Sequence, residues 1–419
     1  MSLKEIIKTS DSEVVEEKVD TEFRVTQEGK KQPETPIYFP NFPQGPLVTN
    51  LWASRSRLAD HFNIEKGEII DVLASAVDDP SEPVKVDKGA FEEEIEENVD
   101  LKKLPIPKYY PKDGGRYITS GIVIAECDGI RNLSYHRMML RDEETFTIRI
   151  CPRHLKKMYD RALKKKDHLE IAVVIGVNPA VLLAASTSID YGIDELRVAN
   201  SLREKTLGKK VELTELDNGL LVPAEAEYAL QGRITSQKDK EGPFVDITGT
   251  YDRMREQPIV EIDRVCRRKD AVFHGLLPGG NEHFLLMGLP RESVLKRELN
   301  KVAEVKDVRL TEGGCSWLHG VISVESEVEK SDVEDIIENA FKAHGSMKKV
   351  TVVDGDIDIY DDKEIEWAVA TRFQPDEDIY VFKEEKGSSL DPSAPDLTAK
   401  WGLNATRPWE SEDFKKAEL

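Results

Sequence analysis

Cysteine is scarce: Cys127, Cys151, Cys266 and Cys315 are scattered over 419 residues without CxxC spacing. That excludes a disulfide frame and points to the reduced thiols of a cytoplasmic protein. Long apolar runs are missing as well, and none approaches the ~18–20 residues of a membrane span. The polar start Met1–Thr9 has no apolar signal-peptide core. Positive charge is in deficit, with 59 Lys and Arg against 80 Asp and Glu and a formal charge of −21. A general nucleic-acid binder or a protein held on anionic lipid needs the opposite balance. What remains is a soluble, cytoplasmic globular protein. Its 39% hydrophobic residues suffice for a substantial core, and its length suits roughly two to three domains of about 150 residues.

Organisation changes along the chain. The first 40 residues are charged and poorly periodic and end among Pro33, Pro36, Pro40 and Pro43. A short strand at Leu47–Ala53 and a helix near Arg55–Phe62 follow. The run Phe91–Glu97, with five glutamates, reads as a solvated helix face. Strands are expected at Tyr117–Cys127, Asn132–Leu140, Thr145–Cys151, Glu170–Val177, Glu227–Ile234, Ile259–Arg268 and Ala271–Gly275. Helices are expected at His154–Lys166, Ala180–Ser186 with Pro179 in its first turn, and Glu195–Glu204. This order suggests a mainly antiparallel sheet or barrel with inserted helices. From Pro290 to Gln374 the order becomes helix (Arg291–Lys301), strands (Val305–Leu310, Leu318–Val324), helix (Ser331–Ala343) and strand (Lys349–Val353), a separate α/β domain. The tail Lys386–Leu419 shows little periodicity.

Four constellations could carry chemistry. In Asn132-Leu-Ser-Tyr-His-Arg137 an amide and a guanidinium stand five apart. On a regular strand that odd separation sends them to opposite faces, unless a strand end or bulge intervenes; the alternative is an ordinary strand with polar surface residues. Cys151-Pro-Arg-His154 lies where a strand gives way to a helix, so His154 can cap, bind an anion or ligate a metal. Asp190-Tyr-Gly-Ile-Asp194-Glu195 is an acidic turn in which one carboxylate can cap the next helix. Asn, His and Glu together would suit a manganese-like ion better than structural zinc. In Glu241-Gly-Pro-Phe-Val-Asp246 a stiff turn delivers two carboxylates, able to split into a charged partner and a proton donor; the alternative is a surface turn. Between Arg131 and His168 eleven basic residues face five acidic ones. Part of the excess is an exposed helix face, and the remainder is an expected anion basin rich in arginine.

In this order and spacing the constellations resemble the UbiD-like family of decarboxylases that use prenylated flavin mononucleotide, and its archaeal subgroup most. The resemblance runs from Asp113-Gly-Gly-Arg-Tyr-Ile-Thr119 to Trp401-Gly-Leu-Asn-Ala-Thr406. It takes in Val353-Asp-Gly-Asp-Ile-Asp358 and Glu366-Trp-Ala-Val-Ala-Thr-Arg372 on the way. The resemblance implies an α/β (α+β) fold, with a central split β-barrel flavin domain and a C-terminal α/β oligomerisation domain. Placed on this chain, it implies an N-terminal region 1–104, a flavin domain 105–289, an α/β domain 290–385 and a tail 386–419 returning to the cofactor.

The resemblance also implies roles. Asn132, His154 and Glu195 match ligands for Mn2+ bridging to the flavin phosphate, with K+ as a further candidate ion. Ser134, Tyr135, His136, Arg137 and Arg153 join those three in lining the cofactor, and Lys400 contacts its phosphate. Arg137, Glu241 and Asp246 match the catalytic arginine and two acids, with Asp246 as proton donor. Asp stands at 246 where some relatives have Glu, and Gln231 stands where relatives often carry Glu. The implied reaction is loss of CO2 from an unsaturated acid. In the archaeal subgroup it converts trans-anhydromevalonate 5-phosphate to isopentenyl phosphate. An aromatic acid such as 4-hydroxy-3-polyprenylbenzoate is the alternative substrate, and a non-catalytic flavin- or metal-binding interaction protein the alternative of another class. The implied partners are a flavin prenyltransferase that supplies the cofactor and further copies of the chain, as a dimer or hexamer.

Overall fold

The computed structural model describes residues 2–325, 328–394 and 397–407. The chain divides into two units, Met1–Leu286 and Met287–Leu419, each of mixed helix and strand. No helix among the described residues is long and apolar enough to cross a membrane.

Nine antiparallel strands organise the first unit. Their path runs Tyr117–Ile118, Met138–Leu140, Thr145–Ile148, Arg255–Arg267, Tyr228–Glu241, His168–Ile175, Ile122–Cys127 and Ile130–Tyr135, with Glu94–Glu96 added on Arg255–Arg267. The path is open, so the expected split barrel is met here as an unclosed sheet. Within it His168–Ile175 is flanked by Tyr228–Glu241 and Ile122–Cys127. Ile171 to Ile175 are all fully buried, which is why this strand reads as a continuous apolar run without alternation. Each such side chain contributes roughly 1.5–3 kcal/mol through burial.

Three departures from the sequence reading bear on the site. Asn132–Leu140 is not one strand: Ile130–Tyr135 ends before His136 and Arg137, and Met138–Leu140 pairs elsewhere in the sheet. The strand expected at Glu227–Ile234 continues to Glu241, past a register shift between Ile234 and Lys238. Its polar second half hides the strand pattern, yet it delivers Glu241 at the strand's tip. The glutamate run is not a helix face. Ala90–Glu93 forms a short 3-10 turn and Glu94–Glu96 a strand; Glu94 and Glu96 meet Arg267, and Glu97 beyond the strand meets Arg264, both from a distant part of the chain.

The second unit carries a five-stranded mixed sheet in the order Val305–Leu310, His319–Val324, Lys349–Asp354, Leu397–Ala405, Ile379–Lys386. Helix Lys330–Ala343 packs Ile336, Ile337 and Ala340 on one face, against Ile322, Val350 and Val352. Helix Asp362–Arg372, absent from the sequence reading, covers the other with Ile365 and Ala368. Arg372 is fully buried and pairs with Asp354 and Asp356 at 2.7 Å each, so the motifs at 353–358 and 366–372 meet as an ion-paired brace. Strand Leu397–Ala405 lies within the stretch read as aperiodic. Lys400 interrupts its apolar pattern but is itself buried, with Nζ donating to Gly345 O at 2.8 Å above the Phe341 ring. Residues 408–419 of the expected tail lie outside the described residues.

The central strands approach most closely at Gly232, where the register of Tyr228–Glu241 against Arg255–Arg267 shifts. A Cβ there would stand 2.1 Å from Glu261 O. Gly232→Ala is therefore expected to cost roughly 1–3 kcal/mol of stability, measured as a lower urea midpoint. An unchanged midpoint would contradict this packing.

Candidate active site

The broken strand resolves the spacing problem of Asn132 and Arg137. Asn132 lies within Ile130–Tyr135 and Arg137 beyond its end, so each serves a different cluster.

The first cluster lines the edge of the sheet. An edge strand leaves outward N–H groups without a strand partner, and Glu195 Oε2 accepts that of Leu133 at 2.8 Å. Glu195 Oε1 accepts from Asn132 Nδ2 at 2.7 Å and stands 3.9 Å from His154 Nδ1. In the acidic turn Asp194 caps helix Glu195–Leu207 by accepting from Leu196 N, while Glu195 itself is buried. Burial raises its carboxyl above the ordinary value, against nearby His154 and the hydrogen bonds from Leu133 and Asn132. His154 begins helix His154–Ala162, with its ring edge-on to Tyr191.

A relay links this cluster to His136. Burial lowers the His136 pKa to about 4, so the ring is neutral and its Nδ1–H donates to Arg149 O at 2.8 Å. Its Nε2 then accepts the Ser134 hydroxyl proton at 2.9 Å. Ser134 Oγ also lies 3.1 Å from Asn132 Oδ1, but one hydroxyl proton serves only one acceptor. Asn132 Oδ1 is thereby left with electron pairs to share. With His154 and Glu195 it makes an oxygen–nitrogen donor set of borderline hardness, which fits a divalent ion. Among the described residues no three His, Cys, Asp or Glu gather in this way; the amide completes this set.

The second cluster is built on Arg137. Its Nε and Nη2 donate to the two oxygens of Glu241 at 2.9 and 3.0 Å, its Nη1 to Asp246 Oδ2 at 2.9 Å, and its Nη2 to Asp252 Oδ2 at 2.9 Å. Of the five guanidinium donors, these bonds use four. The guanidinium also lies over the Phe244 ring, 4.8 Å from its centroid. Burial opposes its charge, but Glu241, Asp246 and Asp252 hold its pKa above the ordinary value. Glu241 is sealed at 0% side-chain exposure and accepts from Tyr117 OH at 3.2 Å, whereas Asp246 keeps 22%. Asp246 is thus the acid open to a reactant.

Asp252 was missed in the sequence. Strand Tyr251–Asp252 pairs with Phe244–Val245, so a short hairpin presents Asp246 and Asp252 together. Burial raises the Asp252 pKa, but the hydrogen bond from Arg255 and the charge of Arg137 bring it below the ordinary value. His283, in the first turn of helix Asn281–Leu299, was missed too. Its Nδ1 accepts from Gly279 N at 3.1 Å, and burial lowers its pKa against the pull of the Asp246 charge.

The expected anion basin is smaller than its linear count. Arg131 pairs with Asp194, Arg137 with its three acids, Arg141 with Asp239, and Lys165 with Asp128. Folding brings most of these carboxylates from outside the segment. Arg153 remains exposed. Lys400 lies in the second unit on Gly345 O, and Gln231 carries a buried Oε1 without a hydrogen-bond partner among the described residues.

The architecture is shared with known enzymes. The UbiD-class enzyme HmfF from Pelotomaculum thermopropionicum, solved in complex with FMN, superposes with a TM-score of 0.95 at 35% identity, covering 100% of this chain and 97% of that one. The fold is that of the UbiD-class carboxy-lyases. The 3-octaprenyl-4-hydroxybenzoate carboxy-lyase Rift-related domain matches residues 82–281, and the corresponding C-terminal domain residues 284–405. The chain belongs to the UbiD family. Similar relatives are the anhydromevalonate phosphate decarboxylases of Methanocaldococcus jannaschii, 45% identical over 97% of both chains, and Methanosarcina mazei, 41% identical over 92% of this chain and 91% of that one.

Asp113 buttresses the acid-bearing hairpin, accepting from Tyr110 N at 2.8 Å and Val245 N at 3.3 Å. Burial raises its pKa from 3.8 to about 6. The folded protein therefore holds this proton more tightly than the unfolded chain, and the associated stability falls as pH rises from about 4 through 6. Wild type is expected to gain stability relative to Asp113→Asn as pH is lowered from 7 to 4, in paired urea titrations. A difference that does not change with pH would contradict the assignment.

Proposed function

We propose that this protein decarboxylates trans-anhydromevalonate 5-phosphate to isopentenyl phosphate and CO2 using prenylated FMN. The observation that carries the reading is the Arg137 cluster: a guanidinium fixed by three carboxyl groups, with one donor to spare and one acid, Asp246, open. The substrate class is supported by the relatives at 41–45% identity.

Prenylated FMN, when bound, supplies the electron sink for loss of CO2. The chain supplies orientation and the proton. Arg137 directs its fifth N–H to the substrate carboxylate, while Glu241 and Asp252 keep the guanidinium from turning. Asp246 delivers the proton to the carbon that has lost CO2. Asn132, His154 and Glu195 would hold Mn2+ against the flavin phosphate, with K+ as a further candidate, and Ser134, Tyr135, His136 and Arg153 would line the cofactor. Lys400, whose ammonium spends one of its three donors on Gly345 O, would contact the flavin phosphate. The flavin prenyltransferase follows as supplier from the cofactor. Self-association is assigned to the second unit, whose edge strand exposes Ile379 and Val381.

Protein co-expressed with a flavin prenyltransferase is expected to release CO2 from anhydromevalonate phosphate. Absence of turnover by cofactor-loaded protein would remove that substrate. Asp246→Asn should lower kcat by about 100-fold or more while the bound-flavin spectrum is retained, and normal turnover in this variant would remove Asp246 as proton donor. Glu195→Gln should lower bound manganese severalfold by elemental analysis. Equal metal content would remove Glu195 from the ligand set.

A further inference from the structure

Tyr117 reaches the partners of Arg137 from a neighbouring strand. Tyr117–Ile118 pairs with Met138–Leu140, which begins one residue after Arg137. The Tyr117 hydroxyl accepts from Gly242 N at 3.1 Å. Three acceptors surround its own proton: Glu241 Oε1 at 3.2 Å, Met139 Sδ at 3.2 Å and Pro243 O at 3.5 Å. One proton serves one of them. Pro243 O already accepts from Gly114 N at 2.8 Å, and a thioether is a weak acceptor. The carboxylate therefore takes the proton, in a charge-assisted bond. Tyr117 is fully buried. Burial, and after it the Glu241 charge, push the phenol above its ordinary value, so the hydroxyl keeps its proton. The ring meets that of Phe244, with centroids 4.4 Å apart, and the Arg137 guanidinium lies over Phe244 in turn.

Among the described residues the Glu241 side chain is bonded by Arg137 and Tyr117 alone. A carboxylate that chelates a guanidinium can turn together with it. The Tyr117 hydroxyl, tied at the same time to the Gly242 amide, anchors the pair to the strand tip. We propose that Tyr117 is a positioning residue: its hydroxyl locks the Glu241 carboxylate and through it aims the Arg137 donor that takes the substrate carboxylate. Closed to solvent, Tyr117 acts only through these partners. Asp246, the proton donor, has no bond to Tyr117, so loss of the hydroxyl weakens substrate capture more than proton delivery. The inference rests on the decarboxylase reading above and adds Tyr117 to the residues that serve it.

Cofactor-loaded protein is assayed for turnover of trans-anhydromevalonate 5-phosphate. Calorimetry gives its Kd for the saturated analogue 3-methyl-5-phosphooxypentanoate, which keeps the carboxylate but is not decarboxylated. Tyr117→Phe keeps the ring on Phe244 and removes only the hydroxyl. KM and the analogue's Kd should each rise about three- to tenfold, with kcat within about twofold of wild type. Met139→Leu removes the competing acceptor at nearly equal volume and should leave both constants unchanged. Unchanged KM and Kd in Tyr117→Phe, whatever its Tm or kcat, would assign the hydroxyl to the fold and overturn the inference while the decarboxylase reading stands. Failure of this variant to fold would do the same. An equal rise in Met139→Leu would also overturn it, because packing rather than the bond to Glu241 would then be responsible. If wild type neither turns over the acid nor binds the analogue, the substrate reading falls and the inference with it.

Discussion

A guanidinium almost out of solvent must be paired or it destabilises the fold that buries it. Arg137 is paired three times, and much of the first unit is arranged to make that possible. The long strand ending at Glu241, the hairpin carrying Asp246 and Asp252, and the loop Asp113–Gly114 beneath it all converge on one side chain. Gly114 shows how tight the convergence is: a Cβ there would stand 2.4 Å from Gly242 O. The acids around the cation engage four of its five donors, and Asp246 is the most exposed of the three.

The strand Ile130–Tyr135 separates tasks by its alternation. On one side Asn132 donates to Glu195 and Ser134 to His136, just past the strand's end. Tyr135 falls out of that alternation, and its buried phenol lies within reach of the Glu282 charge. Arg137, past the strand end, reaches the acids. A single short segment therefore addresses three surroundings, and its position at the sheet edge gives it the room to do so. Its outward amide at Leu133 is satisfied by Glu195, so the edge is closed by the same carboxyl group that completes the donor set.

Charge behaves differently in sequence and in space. Of the eleven basic residues between Arg131 and His168, Arg131, Arg137, Arg141, Lys156 and Lys165 form ion pairs, most of them to acids from elsewhere in the chain. Arg137 itself is a buried charge held by an acidic surround, not part of a broad positive surface.

Most of the elements and the members of both clusters were legible in the sequence, because periodicity and turn residues act locally. Helix Arg55–Phe62 and strand Val305–Leu310 match their expected ranges. Asn132, Arg137, His154, Glu195, Glu241 and Asp246 stood out as candidates by type and spacing. What the tertiary structure decided was partnership. Asp252 is one acid among many until the hairpin pairs it with Phe244, and the glutamates at 94–97 look solvated until Arg264 and Arg267 arrive from 170 residues away. Strand Leu397–Ala405 was obscured by Lys400, whose burial depends on a carbonyl and an aromatic ring remote in sequence. Local order is written in short-range side-chain patterns; the pairing of buried charges depends on which strands become neighbours, and that is settled only when the chain has folded.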